Sequence, residues 1–379
     1  MINNTNHIPT GYKSSPLGII PENWEVKRLG DCFNISAGRD LEKDYYSETI
    51  TPECRYPIFS NSLENKGLYG YTSKPRHYAN SITITGRGSL GHAEYRDSDF
   101  DAIIRLLVLT PKIDISCELI TNYINFAEPF IYESTGVPQL TAPQIQNTLL
   151  LLPPFEEQLQ IMCFLKLWDT AIAKQTLLIE KFTLRKKGLM QQLLTGKKRL
   201  KGFEGKAFKL MPFNEIAETV NVKAFQINKS DYQDLGGTPV VDQGQAFIAA
   251  YSDSPTVYQD VPFVLFGDHT RIVKWIDFPC IIGADGVQAI KSTKRTDIKY
   301  LYYLLSNTSL PNLGYSRHMS ILKEKVFRVP ANIKEQQAIA KCLTNADKEI
   351  EIQKQKLAAL QEQKKGLMQG LLSGKKRIK

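Results

Sequence analysis

The sequence predicts a mixed α/β (α+β) fold in which two globular domains are separated by two long helices that pair as an antiparallel coiled coil. The first observation is a duplication. Residues 186–201 read KKGLMQQLLTGKKRLK and residues 364–379 read KKGLMQGLLSGKKRIK, which are identical at thirteen of sixteen positions. The copies lie 178 residues apart in a chain of 379, so they indicate a pseudo-twofold internal duplication of half the chain and not a short solenoid repeat.

The second observation is a stripe of apolar residues in each copy, spaced alternately by four and three residues as in a coiled-coil seam. Seam positions in the first copy are Ile161, Leu165, Trp168, Ile172, Ile179 and Phe182, and those in the second copy are Ile339, Leu343, Ile350, Leu357 and Leu360. Polar residues interrupt both stripes at matching places, Gln175 with Gln353 and Lys186 with Lys364. We expect these polar positions to fix the register of the pair.

The length of these stripes bears on what the helices pack against. A continuous helix from Glu156 to Leu194 would be about 58 Å long at about 1.5 Å per residue, longer than the core of a typical domain. One alternative is that each helix packs against its own domain and not against the other helix, as amphipathic helices usually do. The length instead favours pairing of the two helices, antiparallel because a folded domain returns the chain between them.

The predicted boundaries are 1–150 for the first globular domain, 151–200 for the first helical region, 201–328 for the second globular domain and 329–379 for the second helical region. Short β-rich runs separated by turn signals predict strands at 81–86, 102–110, 262–267 and 280–290. Helices are predicted at 116–127 and 298–307. Each helix precedes a polar, glycine-containing loop, at 134–144 or 312–323, and then an apolar run that ends in proline. The two domains therefore share a layout although their residues differ.

The net charge of +9 is concentrated at the two helix ends. Residues 181–201 contain eight Lys or Arg and no acid, and residues 359–379 contain six and one Glu. These ends could contact phosphates or an acidic partner, or they could be solvated helix termini favoured by the helix dipole. Gly196 and Gly374 follow pairs of leucines and are typical of helix stops.

Composition predicts a cytoplasmic protein. The six cysteines form no C-x-x-C pair, so neither a zinc-site spacing nor a disulfide framework is indicated. The first fifteen residues lack the apolar segment of a signal peptide, and no run approaches about 18 uninterrupted apolar residues. Insertion into a membrane is not expected.

The divergent loops of both domains are rich in side chains that can hydrogen-bond to base edges or stack on nucleic acid. Any one of them could equally be an ordinary surface or turn residue. The candidate DNA-binding residues are Asn61, Lys66, Tyr69, Arg87, Ser89, His92 and Gln139 in the first domain, and Gln243, His269, Arg271, Lys274, Arg317 and His318 in the second.

Two strings resemble enzyme motifs. Residues 86–91, GRGSLG, match G-x-G-x-x-G, but the next residues predict another strand where a dinucleotide site needs a helix N-terminus, so a glycine-rich hairpin is favoured. Residues 152–155, LPPF, are similar to the motif of amino-methyltransferases, but Leu152 cannot accept the hydrogen bonds of a target amino group. No P-loop, H-E-x-x-H or nucleophile elbow occurs. The sequence predicts no catalytic residue, cofactor or metal.

Four segments together resemble the specificity subunit of type I restriction-modification systems: PPFEEQLQI at 153–161, KKGLMQQLLTGKKR at the end of the first helix, KKGLMQGLLSGKKR near the C-terminus, and IPENWEVKRLGD around Trp24. The resemblance spans essentially the whole chain. In the second half, VPANIKEQQAI replaces PPFEEQLQI, and residues 207–217, AFKLMPFNEIA, lack the tryptophan.

The resemblance implies that the globular domains are target-recognition domains, each reading one half of a bipartite site in double-stranded DNA. It also implies that the helices scaffold methyltransferase subunits, two in number, with restriction/translocase subunits joining through the complex. Two other functions remain open: a self-sufficient DNA-modifying enzyme, and a coiled-coil interaction protein without a nucleic-acid role.

Overall fold

The structure is a computed structural model that describes residues 8–130, 138–205, 207–283, 286–312, 314 and 317–378. Parts of the predicted loops 134–144 and 312–323 lie outside these residues. The chain divides into two compact units, Met1–Lys174 with Leu357–Lys379, and Gln175–Lys356. Each unit contains one globular domain and one half of the helix pair. Among the described residues, no helix is long and apolar enough to cross a membrane.

The first domain is built from short strands with three helices. Its strands are β1 (Tyr12–Ser15), β2 (Gly18–Pro21), β3 (Glu25–Arg28), β4 (Phe33–Ala37), β5 (Tyr46–Ser47), β6 (Tyr56–Phe59), β7 (Leu68–Thr72), β8 (Ser81–Ile84), β9 (Ala93–Arg96), β10 (Asp101–Ala102), β11 (Leu107–Pro111) and β12 (Leu149–Leu152), and its helices are α1 (Leu29–Cys32), α2 (Cys117–Ala127) and α3 (Ala142–Ile145). The first long helix, α4 (Phe155–Leu193), follows.

The second domain repeats this plan. Its strands are β13 (Phe208–Pro212), β14 (Ala217–Val220), β15 (Gln226–Ile227), β16 (Thr238–Val241), β17 (Ala250–Ser252), β18 (Phe263–Gly267), β19 (Val273–Ile276), β20 (Ile281–Gly283), β21 (Val287–Ser292) and β22 (Val326–Pro330), and its helices are α5 (Phe213–Ile216), α6 (Ile298–Ser306) and α7 (Met319–Glu324). The second long helix is α8 (Ile333–Leu372). Short 3-10 turns occupy Lys43–Tyr45, Glu64–Gly67, Lys223–Phe225 and Lys229–Asp231.

Each domain contains two four-stranded sheets. In the first domain their orders are β4-β11-β8-β9 and β10-β6-β7-β5, and in the second they are β14-β21-β18-β19 and β15-β20-β16-β17. The first sheets match strand for strand and are antiparallel. The others differ at one edge, because β5 pairs with β7 whereas β15 pairs in parallel with β20. Helix α2 packs on β8 and β9, and α6 packs on β18, β19 and β21.

The predicted helices at 116–127 and 298–307 are confirmed as α2 and α6. Ser116 and Asp297 cap them by accepting hydrogen bonds from the N–H groups of Leu119 and Tyr300. The predicted β-run 102–110 is not a single strand. It divides into the end of β10 and β11, which belong to different sheets, because the residues between them, Ile104 and Arg105, adopt left-handed φ angles of 55° and 60°.

The long helices pair in antiparallel fashion, as predicted. In the first unit the start of α4 meets the end of α8, where Leu165 shares an apolar core with Leu371. In the second unit the end of α4 meets the start of α8, where Leu193 shares a core with Leu343. All the predicted seam residues of both helices are buried or half-buried, whereas the positions between them are mostly exposed.

The polar seam residues have polar partners within their units. In the second unit Gln175 Nε2 donates to the side-chain oxygen of Gln353 at 2.9 Å and to its backbone carbonyl at 3.0 Å. Lys186 Nζ lies 2.5 Å from Asp347 there, and in the first unit Lys364 Nζ lies 2.6 Å from Asp169. Because a shifted pairing would leave these partly buried groups unpaired, their placement agrees with a role in fixing register.

Both long helices end where the glycines predict. Helix α4 ends at Leu193 and α8 at Leu372, and Gly196 and Gly374 follow with φ of 72° and 71°. A side chain on Gly374 would also collide with Pro21, which lies 2.5 Å from the Cβ position, whereas a side chain on Gly196 would make a tight contact of 3.1 Å with the Phe208 ring. The backbone angle therefore favours glycine at both positions, and space also requires it at Gly374.

Candidate nucleic-acid interface

Loops from separate strands converge at one end of the first domain, and Asn61 links them. Its Oδ1 accepts a hydrogen bond from the Gly86 N–H at 2.8 Å, and its Nδ2 donates to the Ile104 carbonyl at 2.5 Å. The sequence singled out Asn61 as a reader of bases. In the structure its amide holds the loop after β8 against the turn before β11.

Backbone hydrogen bonds extend this arrangement. The Ile104 N–H donates to the Arg39 carbonyl at 3.1 Å, and the Leu140 N–H donates to the Gly86 carbonyl at 2.9 Å. We call residues 38–39, 61, 86–88, 104–105 and 139–140 the first loop cluster. Its exposed side chains include Arg39, Arg87, Ile104, Arg105 and Gln139. Arg87 and Gln139 were predicted from the sequence, whereas the other three were not. Ile104 and Arg105 were missed because they lie within a sequence run that predicts one continuous strand.

The other candidates of the first domain lie around this cluster with different surroundings. Tyr69 is about half exposed, and its ring centre lies 5.8 Å from that of Tyr46. Ser89 is exposed, and its carbonyl accepts the hydroxyl proton of Thr85. His92 Nε2 lies 3.1 Å from Glu94 Oε1. Residues 85–92 connect β8 and β9 as a hairpin loop, so the G-x-G-x-x-G string precedes a strand, as predicted.

Lys66 belongs to a strained turn that a buried arginine holds in place. Asn65 and Lys66 have φ of 46° and 54°. Arg96 donates from Nη2 to the Lys66 carbonyl at 2.9 Å and from Nε to the Thr83 hydroxyl at 2.9 Å, and its guanidinium lies 3.5 Å from the centre of the Phe59 ring. Burial lowers the pKa of Arg96 to about 10, which leaves it charged at neutral pH. Arg96 thus positions Lys66, whose amine is exposed at the rim of a cleft of about 770 Å³.

The second domain uses Gln243 at the place corresponding to Asn61, two residues after β16 as Asn61 is two residues after β6. Gln243 Oε1 accepts from the His269 N–H at 3.1 Å, and its backbone carbonyl accepts from the Thr270 hydroxyl at 2.8 Å. The amide therefore ties the loop after β18, just as Asn61 ties the loop after β8. Asn61 and Gln243, both predicted to bind DNA, therefore occupy equivalent positions in the two domains and join loops there.

Lys274 and His318 are buried. Lys274 Nζ donates to the carbonyls of Asp242 and Ala246 at 2.7 and 2.5 Å, and burial lowers its pKa although the Asp242 carboxylate 3.8 Å away opposes that shift. His318 Nδ1 lies 2.8 Å from the Asp268 carbonyl, which can only accept, so Nδ1 carries the proton. Both side chains are buried and hold loops together in this structure, and their prediction as DNA-binding residues stays a prediction.

Three candidates of the second domain remain, and two of them, His269 and Arg317, line a cavity. Arg271 has a φ of 63° and donates from Nη1 to the Leu310 carbonyl at 3.2 Å. His269 and Arg317 line this cavity of about 240 Å³ together with polar residues that sequence reasoning missed, among them Asn221, Lys223, Gln226 and Gln288. The missed residues come from strands β15 and β21 and the loop after β14, and nothing in the order of the sequence brings them to one place.

The basic segments after each long helix form ionic clamps within their units. In the second unit Arg199 donates to both carboxylate oxygens of Glu335 at 2.7 Å. In the first unit Arg377 donates to both oxygens of Glu157 at 2.6 and 2.8 Å, and Trp24 Nε1 donates to the same carboxylate at 3.1 Å. Arg199 and Arg377 therefore have structural partners, which neither interpretation of the basic ends anticipated. The lysines beside them remain exposed.

The aromatic residue that the second copy seemed to lack is Phe208. It contacts Gly196 as Trp24 contacts Gly374, and the Arg199 guanidinium lies 4.8 Å from its ring centre. A glutamine next to each clamp is also duplicated. Gln158 accepts from the Ser116 N–H, and Gln336 accepts from the Asp297 N–H, each at 2.8 Å. Each clamp therefore joins the base of a domain to the start of one helix and the end of the other.

Two further features of the site concern the enzyme motifs and metals. The LPPF string lies at the junction of β12 and α4, where Leu152 and Pro153 are buried, Pro154 and Phe155 are exposed, and the Pro153 carbonyl accepts from Gln158 Nε2 at 2.9 Å. In the described part of the chain, no group of His, Cys, Asp or Glu is arranged to hold a metal ion.

Asn61→Asp tests the link between the loops. The substitution keeps the size of the side chain but points a carboxylate oxygen at the Ile104 carbonyl in place of the N–H donor. We expect the free energy of unfolding to fall by about 1–3 kcal/mol in urea titrations. Asn34→Asp, which adds the same charge at an exposed position of β4, should change it by less than about 0.5 kcal/mol. Equal stability of both variants would contradict a linking role for Asn61.

Comparison with known proteins gives consistent results. A family model described as the type I restriction modification DNA specificity domain matches residues 21–181 and again 206–362. The chain is 26% identical over 409 residues to the type I restriction enzyme MjaVIII specificity subunit of Methanocaldococcus jannaschii, covering 95% of this chain and 94% of that protein. A chain of the same organism, provisionally named the MjaX specificity subunit, is 27% identical over an alignment of 420 residues that covers 97% of this chain and 97% of that protein.

Solved structures share the fold. A type I restriction-modification S subunit from M. genitalium matches with a TM-score of 0.57 and 16% identity, over 92% of this chain and 96% of that one. A chain from a structure concerned with complex assembly of the type I system matches with a TM-score of 0.61 and 17% identity, over 94% and 99%.

Proposed function

Because the chain belongs to the family of type I restriction-modification DNA specificity subunits, we propose that its two globular domains each read one half of a bipartite site in double-stranded DNA. The recognition domains are residues 1–150 and 201–328, and the helical spacers are 151–200 and 329–379. In this role the chain selects the sequence and leaves the chemistry to other subunits.

The observation that carries this proposal is that a side-chain amide joins corresponding loops in both domains. Asn61 and Gln243 occupy equivalent positions and fix equivalent loops, yet the exposed residues on those loops differ between the domains. A common frame with different exposed groups is what two readers of different half-sites need, because base contacts carry sequence information and the frame only positions them.

Different residues have different roles in this proposal. Exposed side chains contact DNA directly: Arg87, Ser89, Gln139 and Arg317 near base edges or phosphates, Lys66 on phosphate, and Tyr69 by its ring. The half-buried His92, His269 and Arg271 make further contacts beside them. Asn61, Gln243, Lys274 and His318 position the loops. Single contacts of the first kind contribute discrimination of about 1–3 kcal/mol per base pair.

The long helices supply a surface for methyltransferase subunits. Large apolar side chains lie exposed on the helices away from the seam, and those residues are Leu167, Leu177, Leu178, Leu184 and Ile352. Exposed apolar groups outside a core indicate an interaction surface. The duplication supports two methyltransferase subunits, one for each copy of the repeat, with restriction/translocase subunits joining the assembled complex.

The experiment is co-expression of the chain with its methyltransferase subunit, followed by mapping of methylated positions on the host DNA. We expect one bipartite sequence. Exchanging residues 1–150 for those of another family member should change one half of that sequence and leave the other half intact. Methylation by the chain alone would support an enzyme instead, and co-purification without any DNA effect would support an interaction protein.

A second measurement tests whether Lys and Arg side chains of the complex contact DNA phosphates. The logarithm of the affinity of the complex for its DNA should fall linearly with the logarithm of salt concentration, because bound Lys and Arg displace counterions from phosphates. An affinity independent of salt would contradict phosphate contacts by the exposed lysines and arginines.

A further inference from the structure

Ile104 is an unusual residue in the first loop cluster. Its φ of 55° is left-handed, a conformation that β-branched residues adopt very rarely because Cβ clashes with the backbone. Yet its side chain is 47% exposed. The neighbouring Ile103 and Leu106 are each 1% exposed and supply the apolar contacts of the core. Packing of the domain therefore does not explain why an isoleucine occupies this position.

The backbone of Ile104 is held on both sides. Its N–H donates to the Arg39 carbonyl at 3.1 Å, and its carbonyl accepts from Asn61 Nδ2 at 2.5 Å. The adjacent Arg105 N–H donates to the Gly38 carbonyl at 3.3 Å. Strained residues persist only where the surrounding structure fixes them, and such strain concentrates at functional sites. Three elements, the residues after β4, β6 and β10, cooperate to present this one side chain to solvent.

The surroundings of the exposed Ile104 side chain are basic. Arg39 and Arg105 are its hydrogen-bonded and sequence neighbours, and Arg87 follows Gly86, which Asn61 binds together with Ile104. All three arginines are exposed. An apolar tip among guanidinium groups fits a groove of DNA, where the arginines bind phosphates or bases and the apolar group meets the 5-methyl group of thymine.

We propose that Ile104 is a specificity-determining residue of the first domain that contacts a thymine methyl group in the half-site this domain reads. The inference rests on the proposed function and goes beyond it by naming the residue and the chemical group. It also assigns Asn61 and Arg39 as positioning residues for Ile104.

The test uses the purified complex of the full chain with its methyltransferase subunit and DNA duplexes that carry the mapped sequence. Each thymine is replaced in turn by deoxyuridine, which differs only by the missing methyl group, and dissociation constants are measured by fluorescence anisotropy. The native complex should bind several-fold more weakly when one particular thymine of the first half-site is replaced. Ile104→Gly should remove this difference, and Ile104→Val should retain most of it.

Ile104→Gly also separates function from folding. Glycine adopts a left-handed φ without strain, so the variant should melt at the same temperature as the native chain or higher. Glu128→Gly is the matched control, because Glu128 has a φ of 43° at the end of α2 and lies outside the first loop cluster. It should leave every ratio of dissociation constants unchanged.

The inference is overturned if the native and Ile104→Gly complexes show the same thymine-to-deoxyuridine ratios at all positions. It is also overturned if Ile104→Gly weakens binding of the methyltransferase subunit without altering those ratios, since Ile104 would then be a contact to that protein. A native complex without any bipartite preference would instead refute the proposed function itself.

Discussion

Arg199→Met is expected to lower the free energy of unfolding by about 3–5 kcal/mol, the loss typical when one partner of a buried ion pair is removed. Glu335 is fully buried, and Arg199 supplies two charge-assisted hydrogen bonds to it at 2.7 Å. Methionine can fill much of the same space, so the loss reports chiefly the uncompensated carboxylate. Urea unfolding followed by circular dichroism measures the change.

The duplication supplies matched comparisons for this prediction. Arg377→Met should cost less, because Glu157 is more accessible to water and retains the Trp24 N–H as a donor. Lys198→Met removes an exposed charge from the same segment as Arg199 and should change stability by less than about 0.5 kcal/mol. If Lys198→Met were as damaging as Arg199→Met, the loss would reflect the total charge of the segment and the clamp would be refuted.

Trp24→Ala is the second large effect, with an expected loss of about 3–5 kcal/mol for a buried tryptophan. Trp24 is 1% exposed, packs against Gly374, and donates to Glu157, which also binds Arg377. Its removal would leave a cavity where the base of the first domain meets the end of α8. Urea unfolding of the first unit would show the loss as a lower midpoint.

The counterpart of Trp24 provides the control. Phe208→Ala removes the equivalent ring of the second unit, which is smaller and only partly buried, and should cost about half as much or less. Trp24→Phe should restore most of the packing while lacking the N–H donor, so the difference between the Phe and Ala variants separates packing from hydrogen bonding. Similar unfolding midpoints for native chain and Trp24→Ala would refute the role assigned to this junction.

The outcome for the candidate DNA-binding residues shows where sequence reasoning stops. Amide, imidazole and lysine side chains in polar loops look alike in the sequence whether they face DNA or bind their own backbone. The structure separates them: Asn61, Gln243, Lys274 and His318 bind loops, and Arg87, Gln139 and Arg317 are exposed. Ile104 escaped notice for the opposite reason, since an isoleucine in a β-rich run is expected to be buried.

The duplication, the antiparallel helix pair with its polar seam positions, the helix stops and the two α/β domains were all determined by the sequence itself. They depend on periodic spacing and on residues such as Gly196 whose preferences act locally. The tertiary structure alone decided the Arg199–Glu335 clamp, the replacement of Trp24 by Phe208 and the convergence of loops on Asn61. Each of these features depends on contacts between residues that are far apart in the chain. No local preference of the chain specifies which distant partner a side chain will meet.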